Sequence, residues 1–447
     1  MITYRQKPIL LALCLLCCGG AAAQTAQEEL KANRYLSGSN YLDYDRQLAT
    51  EPLTPAPKGY EPFYMSHYGR HGSRWLIGEG DYQTPLNILR DAHQAGKLTA
   101  EGEAVLKKLE DFHPTTIKRL GELTTVGERQ HHGIGSRLAK NFPEIFKAKN
   151  VPIDARSTVV IRCILSMEAE CEELAAANPT ARFHNDVSES FQYYLNQDWS
   201  DRLRRASRKS RGVRNEYERK YSHPERRMKV LFNDQSYVYD NVRASSLMRQ
   251  LFEVAANMQS HDTDIELYSL FTDEEVYDQW RIRNVGWYLD YGAAPQSDGI
   301  MPFSQLNLLR NIIETADTIV PVPVAAASPA TTPQATLRFG HEVCVMPLAC
   351  LLELGQCGAQ VEDLDKLDEV WRNYRIFPMA CNIQLVFYRP KKGDGDILVK
   401  AMLNEREMTL PGTPVSGPYY RWADLRQYYL DKIQRYEDNR GPGAVRR

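Results

Sequence analysis

Residues 63–74 read FYMSHYGRHGSR, and this stretch decides the fold. Its first half, 63–68, is an apolar run of the kind that forms a buried β-strand. Two arginines, a histidine and two glycines follow at once, as Gly69, Arg70, His71, Gly72 and Arg74. In α/β proteins, ligand sites lie just beyond the carboxyl ends of the strands. We therefore expect an α/β fold with a site directly after this strand.

The charged end of the stretch has the chemistry that phosphoryl transfer needs. Guanidinium groups stay charged and bind phosphate oxygens in pairs. Cations beside an imidazole disfavour its protonation, so His71 is predicted to stay neutral and nucleophilic at acidic pH. Gly69 and Gly72 would allow the backbone to approach an anion closely. The alternative is a surface loop that is rich in arginine and histidine by chance.

Strand-like runs flank a long helical block in the rest of the chain. Further strands are predicted at 335–339, 383–388 and 397–402, with helices at about 82–148, about 188–311 and 346–354. This order predicts an α/β domain that is interrupted by an inserted domain. The expected division is a signal peptide at 1–23, an α/β catalytic domain with a mainly parallel central sheet at 24–185 and 325–447, and a mostly helical insertion at 186–324.

The composition is that of a globular protein with a large core. The chain has 447 residues, 43% hydrophobic and 25% charged, and this apolar share excludes a largely disordered chain. Lysine and arginine number 55 against 57 aspartate and glutamate, for a net charge of -2. The overall charge gives no reason to expect a nucleic-acid partner. We expect a monomer that acts on a small molecule.

The first 23 residues have the pattern of an export signal. Two basic residues precede an apolar run at 8–18, and three alanines end at residue 23. The run is too short to span a bilayer, and no later segment could do so. We expect a periplasmic or secreted protein. The alternative is a lipid anchor on Cys17 or Cys18, although neither cysteine follows a glycine or an alanine.

The sequence predicts no metal or cofactor site. Six cysteines remain after the signal and allow up to three disulfides, but no C-x-x-C pair indicates zinc. We expect mostly buried thiols with one bridge at most. The pair His131-His132 is predicted to lie on a helix surface. His341-Glu342 does not begin an H-E-x-x-H zinc motif, because Val345 occupies the position of the second histidine.

The R-H-G-S-R of 70–74 resembles the R-H-G-x-R signature of the histidine phosphatases, and in particular of the histidine acid phosphatase branch. Three further segments are similar to that branch in the same order. They are L-T-T-V-G at 123–127 with Gln130 and Gly135, R-S-T at 156–158 followed by Arg162, Cys163 and Ser166, and F-G-H-E at 339–342. Together the segments cover most of the chain after the signal.

The resemblance implies roles for six residues. His71 would attack phosphorus, and Glu342 would protonate the leaving oxygen and then activate water. The phosphoryl oxygens would be held by Arg70, Arg74, Arg162 and His341. A protonated Glu342 would give a weakly acidic pH optimum, provided that burial and nearby acids raise its pKa.

Within that branch, the chain looks most like the multiple inositol-polyphosphate phosphatases, a clade of phytases. The similar segments are 270–275, 288–292 and P-M-A-C-N-I at 378–383. The resemblance implies a secreted phosphomonoesterase that hydrolyses inositol polyphosphates through a phosphohistidine, without a cofactor. Two alternatives stay open: the same chemistry on smaller esters such as sugar phosphates, and a non-catalytic polyanion-binding protein.

The sequence departs from the clade in two places. The usual H-A-E is H-E here, because Glu342 directly follows His341, and Trp75-Leu76 follows Arg74 where other members have x-P. The first departure puts the reach of the proton donor in question.

A second dipeptide, His261-Asp262, spells the His-Asp of other acid phosphatases. It follows a helical run, so no strand would deliver it to a site at the edge of the sheet. We therefore expect Glu342 to be the donor and His261 to end a helix.

A basic run at 201–230 holds twelve lysines and arginines against four acids. Charge runs are usually solvated helical faces. Because this run lies in the expected insertion, we favour a second interpretation, an electrostatic funnel for a polyanionic substrate.

Overall fold

The computed structural model of the protein describes residues 24–48, 51–320 and 332–439. The predicted signal peptide at 1–23 lies outside the described residues. Within the described part of the chain, no helix is both long enough and apolar enough to cross a membrane.

A single mixed sheet forms the centre of the molecule. Its strands are β1 (Tyr60–Arg70), β2 (Pro152–Ser157), β3 (Arg182–Val187), β4 (Ala335–Gly340), β5 (Asn382–Pro390), β6 (Leu398–Leu403), β7 (Arg406–Met408) and β8 (Tyr420–Arg421). The strand order is β3-β2-β4-β1-β5-β6-β7, with β8 paired to β6. The first four strands of this order are parallel, and the others form an antiparallel extension.

Helices cover the sheet and build a second layer beyond it. They are α1 (Ala26–Ala32), α2 (Glu79–Gln94), α3 (Ala100–Phe112), α4 (Thr125–Asn141), α5 (Pro143–Phe146), α6 (Ile161–Ala177), α7 (Gln192–Leu195), α8 (Asp201–Tyr221), α9 (Glu225–Leu231), α10 (Gln235–Asn241), α11 (Ala244–Asn257), α12 (Asp273–Tyr291), α13 (Leu306–Ile319), α14 (Glu342–Leu351), α15 (Leu367–Val370), α16 (Asn373–Ile376) and α17 (Trp422–Asp438). Short 3-10 helices join them, among them Arg34–Tyr41 near the amino terminus.

The predicted α/β class is confirmed, and the central position of β1 explains its sequence. The strand pairs with β4 on one side and β5 on the other, and its last seven residues are buried. A strand that is covered on both faces reads as a continuous apolar run. The expected strands at 335–339, 383–388 and 397–402 are also present, as β4, β5 and β6.

Two local predictions need correction. The helix expected at 346–354 begins earlier, at Glu342, because the chain enters it directly from the end of β4. Strands β2 and β3 were not predicted, since β3 is largely exposed at the edge of the sheet and has no apolar run to mark it.

Apart from a core that packs α4 and α6 against β2 and β4, the apolar side chains divide mainly between two cores. The larger core joins β1 and β5 to α8, α13, α14 and α17, on one face of the sheet. A separate core joins α2 and α3 to α9, α11 and the start of α12. The expected insertion at 186–324 therefore contributes to both cores, and its boundaries stay a prediction. All six cysteines after the signal are buried and free, so the expectation of mostly buried thiols holds.

Candidate active site

The loop at 70–74 is fixed to the sheet on both sides. The backbone N–H of Arg70 donates to the carbonyl of Cys381 at 2.8 Å, and that of His71 donates to the carbonyl of Gly340 at 3.0 Å. The register of the sheet sets these contacts, because Arg70 lies opposite Gly340 across β1 and β4. The loop thus stands where the parallel strands end, as the sequence predicted.

Helix α4 supports the same loop through a close contact between Gly127 of the helix and Gly72 of the loop. A Cβ at Gly72 would lie 2.6 Å from the Cα of Gly127, so neither position has room for a side chain. Gln130 accepts the backbone N–H of Ser73 at 2.9 Å, and Ser166 accepts that of Gly72 at 3.1 Å. These side chains come from the segments at 123–130 and 156–166, which explains why those segments accompany the R-H-G-S-R stretch.

His71 is oriented and neutral. Its Nδ1–H donates to the carbonyl of Gly72 at 2.8 Å, which leaves the lone pair of Nε2 available for attack. Burial lowers the pKa of His71 well below its ordinary value, and the charges of Arg70, Arg162 and Arg74 lower it further. The direction of this change favours the neutral imidazole that the sequence predicts, with burial as the largest cause.

Three arginines surround this imidazole and keep unused N–H donors. Nη1 of Arg70 donates to the carbonyl of Pro378 at 3.1 Å, that of Arg74 to the carbonyl of Trp75 at 2.9 Å, and that of Arg162 to the carbonyl of Gly121 at 3.1 Å. These bonds fix the directions of the guanidinium groups. Buried N–H groups without a hydrogen-bond partner remain, namely Nη2 of Arg70, Nε of Arg74 and Nε of Arg162. Buried donors of this kind suit an anion with several oxygen acceptors.

His341 faces the nucleophile from the end of β4. The centroids of the His341 and His71 rings lie 5.7 Å apart, with the ring planes at 70°. Nε2 of His341 lies 3.5 Å from the hydroxyl of Thr158, which follows β2. Burial lowers the pKa of His341 to about 4, although the charge of Glu342 opposes this change.

Glu342 opens α14 and is ionised. Its Oε2 lies 3.1 Å from Nε of Arg70 and 3.8 Å from Nε2 of His71. Burial alone would raise the pKa of Glu342, but the charges of Arg70 and Arg74 outweigh it and bring the pKa to about 2. The expectation that Glu342 is a protonated donor required its pKa to be raised. In the ligand-free protein the pKa of Glu342 is lowered instead.

The residues at the pocket favour an anion over a cation. Ligand atoms of His71, His341 and Glu342 lie within 4.8 Å of one another, and among the described residues this is the group whose spacing would suit a metal ion. Three arginines lie close enough to lower the pKa of His71. Their combined positive charge would repel a divalent cation and attract phosphate.

The segment before β1 contributes two residues that the sequence analysis missed. Asn40 donates from its side-chain amide to Oε1 of Glu342 at 3.4 Å, and its carbonyl accepts from Nη1 of Arg70. The guanidinium carbons of Arg74 and Arg283 lie 5.4 Å and 5.3 Å from the centre of the Tyr41 ring. No motif marks this segment, because its role depends on packing against residues far along the chain.

The expectation that His131 lies on a helix surface is wrong. His131 is buried, and its Nε2–H donates to the carbonyl of Arg70 at 3.1 Å. Its Nδ1 lies 3.1 Å from Oε2 of Glu170, within hydrogen-bond distance, behind the 70–74 loop. His132 is partly exposed, with Nδ1 at 3.6 Å from Glu173. Adjacent residues of a helix do not share a face, so His131 faces the interior while His132 stays at the surface.

The structure places His261-Asp262 as the sequence analysis expected. His261 caps the end of a short helix at 258–260, and its ring packs between Trp75 and Phe112, 5.0 Å from each. The exposed Asp262 pairs with Arg129 at 2.6 Å. This hydrogen bond lowers the pKa of Asp262 to about 2.

The basic run at 201–230 is partly neutralised by acids from other elements. Lys209, Arg214 and Lys220 of α8 pair with Asp298, Asp290 and Asp365, and both Arg226 and Arg227 pair with Glu275. Among the described residues, α8 keeps five exposed arginines that form no ion pair with an acid outside the run: Arg204, Arg205, Arg208, Arg211 and Arg219. The exposed positive surface of the basic run is therefore smaller than its count of lysines and arginines implies.

A comparison with family models matches residues 69–404 to the histidine phosphatase superfamily (branch 2). The chain belongs to this superfamily. The match spans the 70–74 loop, the supporting segments of α4 and α6, and the His341-Glu342 pair. The protein is accordingly a phosphoric monoester hydrolase of the histidine phosphatase type. A search of curated proteins gave no match.

Solved structures with the same fold include phytases. A Bifidobacterium longum multiple inositol polyphosphate phosphatase, in complex with inositol hexasulfate, is 17% identical, with a TM-score of 0.66 over 89% of this chain and 97% of that chain. A phytase from D. castellii is 14% identical, with a TM-score of 0.66 over 92% and 88% of the two chains. A Hafnia alvei phytase in complex with tartrate is 12% identical, with a TM-score of 0.52 over 84% and 98%.

Proposed function

We propose that the protein hydrolyses inositol polyphosphates through a phosphohistidine on His71. The observation that carries this proposal is the neutral Nε2 of His71 beside three arginines with unpaired N–H groups. The likeness of the fold to a multiple inositol polyphosphate phosphatase and to phytases supports the substrate class.

The first step transfers the phosphoryl group to His71. The substrate binds with its phosphate group as the monoanion, which still carries one proton. That proton has a pKa of about 6 in water. As phosphate oxygens replace Glu342 on Arg70, the proton of the monoanion moves to Glu342. Nε2 of His71 then bonds to phosphorus, the bond to the leaving oxygen breaks, and Glu342 returns the proton to that oxygen as the alcohol forms.

The second step restores the enzyme. The Glu342 carboxylate takes a proton from water, and the resulting hydroxide bonds to phosphorus. The P–N bond breaks and its electron pair returns to Nε2 of His71. Glu342 passes the proton to the phosphate, which leaves as the monoanion. The arginines and His341 hold the phosphoryl oxygens in both steps and stabilise their charge.

The exposed arginines of α8 would attract a substrate with many phosphates. Long-range attraction raises the association rate of a polyanion and weakens with salt. Changing Arg204, Arg208 and Arg211 together to alanine should lower kcat/KM for inositol hexakisphosphate about threefold to tenfold at low salt. The same change should leave p-nitrophenyl phosphate unaffected.

Export and the monomeric state are part of the same proposal. The apolar run at 8–18 and the alanines that end at residue 23 support a signal peptide. Amino-terminal sequencing of the exported protein should begin at Gln24.

The decisive experiment measures phosphate release from inositol hexakisphosphate and from p-nitrophenyl phosphate between pH 3 and pH 8. We expect release from both, with activity kept further into the acid range than an imidazole of ordinary pKa would allow, because burial and the nearby arginines lower the pKa of His71. His71→Ala should abolish release, whereas His93→Ala, which changes an exposed histidine of α2, should not. Release from the small ester alone would assign the enzyme to small phosphomonoesters. Tight binding of hexakisphosphate without release would assign it as a binding protein.

A further inference from the structure

A buried histidine–glutamate pair lies behind the 70–74 loop. Its members are His131 of α4 and Glu170 of α6, with Nδ1 of His131 at 3.1 Å from Oε2 of Glu170. The two side chains are 1% and 0% exposed. The reaction steps proposed above use neither group. A titratable pair that is withdrawn from water costs stability unless its hydrogen bonds are well placed, so the contacts of this pair indicate what it does.

The hydrogen bonds of the pair end at the peptide group between Arg70 and His71. Nε2–H of His131 donates to the carbonyl of Arg70 at 3.1 Å. The N–H of the same peptide group, which belongs to His71, donates to the carbonyl of Gly340 at 3.0 Å. A peptide group is planar, so bonds at its oxygen and at its nitrogen together fix its orientation. His131 and the end of β4 therefore hold the backbone of His71 between them.

Glu170 fixes the ring of His131. Its Oε2 lies beside Nδ1, and the other ring nitrogen then points at the carbonyl of Arg70. A hydrogen bond to one nitrogen of an imidazole sets the direction of the other. His67 of β1 is less suited as the partner of Glu170, since its Nε2 lies 4.0 Å from Oε1, beyond hydrogen-bond distance. The contacts thus run from Glu170 through His131 to the peptide of the 70–74 loop.

The packing of α4 against α6 has sources other than this pair. Ile134 of α4 and Met167 of α6 belong to one apolar core. A second histidine–glutamate pair also joins the two helices, with Nδ1 of His132 at 3.6 Å from Oε2 of Glu173, and its side chains are 34% and 35% exposed. We call it the exposed pair. What sets the buried pair apart is that its histidine reaches the 70–74 loop.

The groups expected to hold phosphate are fixed separately from the buried pair. Nη1 of Arg74 and Nη1 of Arg162 each donate to a carbonyl of the main chain, and His341 directly follows β4. A change at His131 should therefore shift His71 against a phosphate whose binding site is largely preserved.

We propose that His131 and Glu170 are positioning residues of the reaction: Glu170 orients the imidazole, and Nε2–H of His131 fixes the peptide that carries His71. The proposal rests on the proposed function in one respect, the attack of His71 on phosphorus. A misplacement of the attacking atom by about 1 Å can cost about 100-fold in rate. Loss of the pair should therefore slow phosphoryl transfer and leave phosphate binding nearly unchanged.

The variant that tests the pair is His131→Leu/Glu170→Leu. It removes both polar groups at once, and replacing a buried pair by apolar side chains is often neutral for stability. The measurement is the single-turnover release of p-nitrophenol from p-nitrophenyl phosphate at saturating enzyme. This rate reports transfer to His71 and does not depend on the fraction of folded molecules. We expect it to fall about 10- to 100-fold, with a change of less than about threefold in the inhibition constant of inorganic phosphate.

Further variants separate positioning from charge and from helix packing. Glu170→Gln keeps a group that can donate to Nδ1 or accept from it, so its rate should stay within about threefold of the wild type. His132→Leu/Glu173→Leu changes the exposed pair on the same two helices and should keep the wild-type rate. If the double leucine variant of the buried pair does not fold, His131→Met/Glu170→Gln removes the same donor with a flexible apolar side chain and carries the same expected loss.

A wild-type rate in His131→Leu/Glu170→Leu, with His71→Ala inactive, would overturn the positioning role alone. An equal loss in Glu170→Gln would also overturn it, because the charge of Glu170 would then be the cause. An equal loss in the exposed-pair variant, or a loss of phosphate affinity as large as the loss of rate, would reduce the pair to a support of the fold. Full activity of His71→Ala would instead reject the proposed function, since another group would have to attack phosphorus.

Discussion

The dipeptides His341-Glu342 and His261-Asp262 have similar chemistry in two different surroundings. Burial lowers the pKa of both histidines to about 4, and both acids reach a pKa of about 2. Glu342 is nevertheless buried beside Arg70 and the nucleophile His71, whereas Asp262 is exposed and paired with Arg129. A perturbed pKa therefore does not identify a catalytic group here. What distinguishes the proposed site is its position at the end of a parallel strand, beside arginines that keep buried donors.

The largest expected difference between the two dipeptides is in turnover, when Glu342 and Asp262 are replaced in turn. Glu342→Gln should lower kcat on inositol hexakisphosphate about 10²- to 10⁴-fold, because the leaving oxygen loses its proton donor. With p-nitrophenyl phosphate, whose leaving group needs no proton, the same variant should accumulate phosphoenzyme. Asp262→Asn should leave both reactions unchanged. A large loss in Asp262→Asn would reverse the assignment of the donor.

Removing a nearby arginine from each acid should give a smaller contrast in kcat/KM. Arg74→Ala takes away a buried donor of the phosphate pocket, so kcat/KM should fall about 10- to 100-fold, as expected for a charge-assisted hydrogen bond. Arg129→Ala, which removes the partner of Asp262, should have no effect on kcat/KM. Steady-state kinetics on p-nitrophenyl phosphate measures both variants. Equal losses would mean that the surface pair also supports catalysis.

The pKa values of His341 and His261 should become different when an anion enters the pocket. Inorganic phosphate near His341 would favour its imidazolium form, so its pKa should rise from about 4 towards the ordinary value of about 6.5. The pKa of His261 should stay at about 4, since Trp75 and Phe112 enclose its ring. NMR titration of labelled imidazoles, with and without phosphate, measures both. A shift of both histidines, or of neither, would contradict a phosphate site at His341.

The smallest expected difference between the two acids is in how their replacement changes the free energy of unfolding as the pH falls. The folded state lowers the pKa of Glu342 from 4.5 to about 2, so the ionised carboxylate stabilises the fold above pH 4.5, and this stabilisation disappears as the pH falls towards 2. Glu342→Gln should therefore be less stable at pH 7, by about 3 kcal/mol at most, and should converge with the wild type near pH 2. Asp262→Asn should change stability little at any pH, because its ion pair is exposed to solvent. Urea unfolding at a series of pH values measures each difference, and a gap for Glu342→Gln that widens in acid would have the wrong sign.

Much of the fold was predictable from sequence because strong local patterns coincide with it. The apolar run at 63–68 became the central strand, and the motif residues Arg70, His71, Arg162 and Glu342 met at its end. Strand ends and short motifs are local properties, and the topology of a parallel sheet brings them to one edge.

The parts of the site that could not be predicted depend on contacts between distant segments. Asn40 reaches Glu342 across 302 positions of the chain, and His131 reaches Arg70 across 61. Neither residue differs from its neighbours by type or spacing. The low pKa of Glu342 was missed for the same reason, because it results from the arrangement of Arg70 and Arg74 around a buried carboxylate.

The contacts of Arg70 also set the time at which the pocket can form during synthesis. Its Nη1 donates to the carbonyl groups of Asn40 and Pro378, and these two residues lie 338 positions apart in the chain. At about 5–20 residues per second, a ribosome needs roughly 20–70 s to cover that distance. Once residue 74 has been added, the nascent chain carries a complete R-H-G-S-R segment, but for the rest of this interval it lacks the carbonyl of Pro378 that fixes Arg70. The growing polypeptide should therefore be unable to hydrolyse phosphate esters until synthesis has passed Pro378, after the first four strands of the sheet.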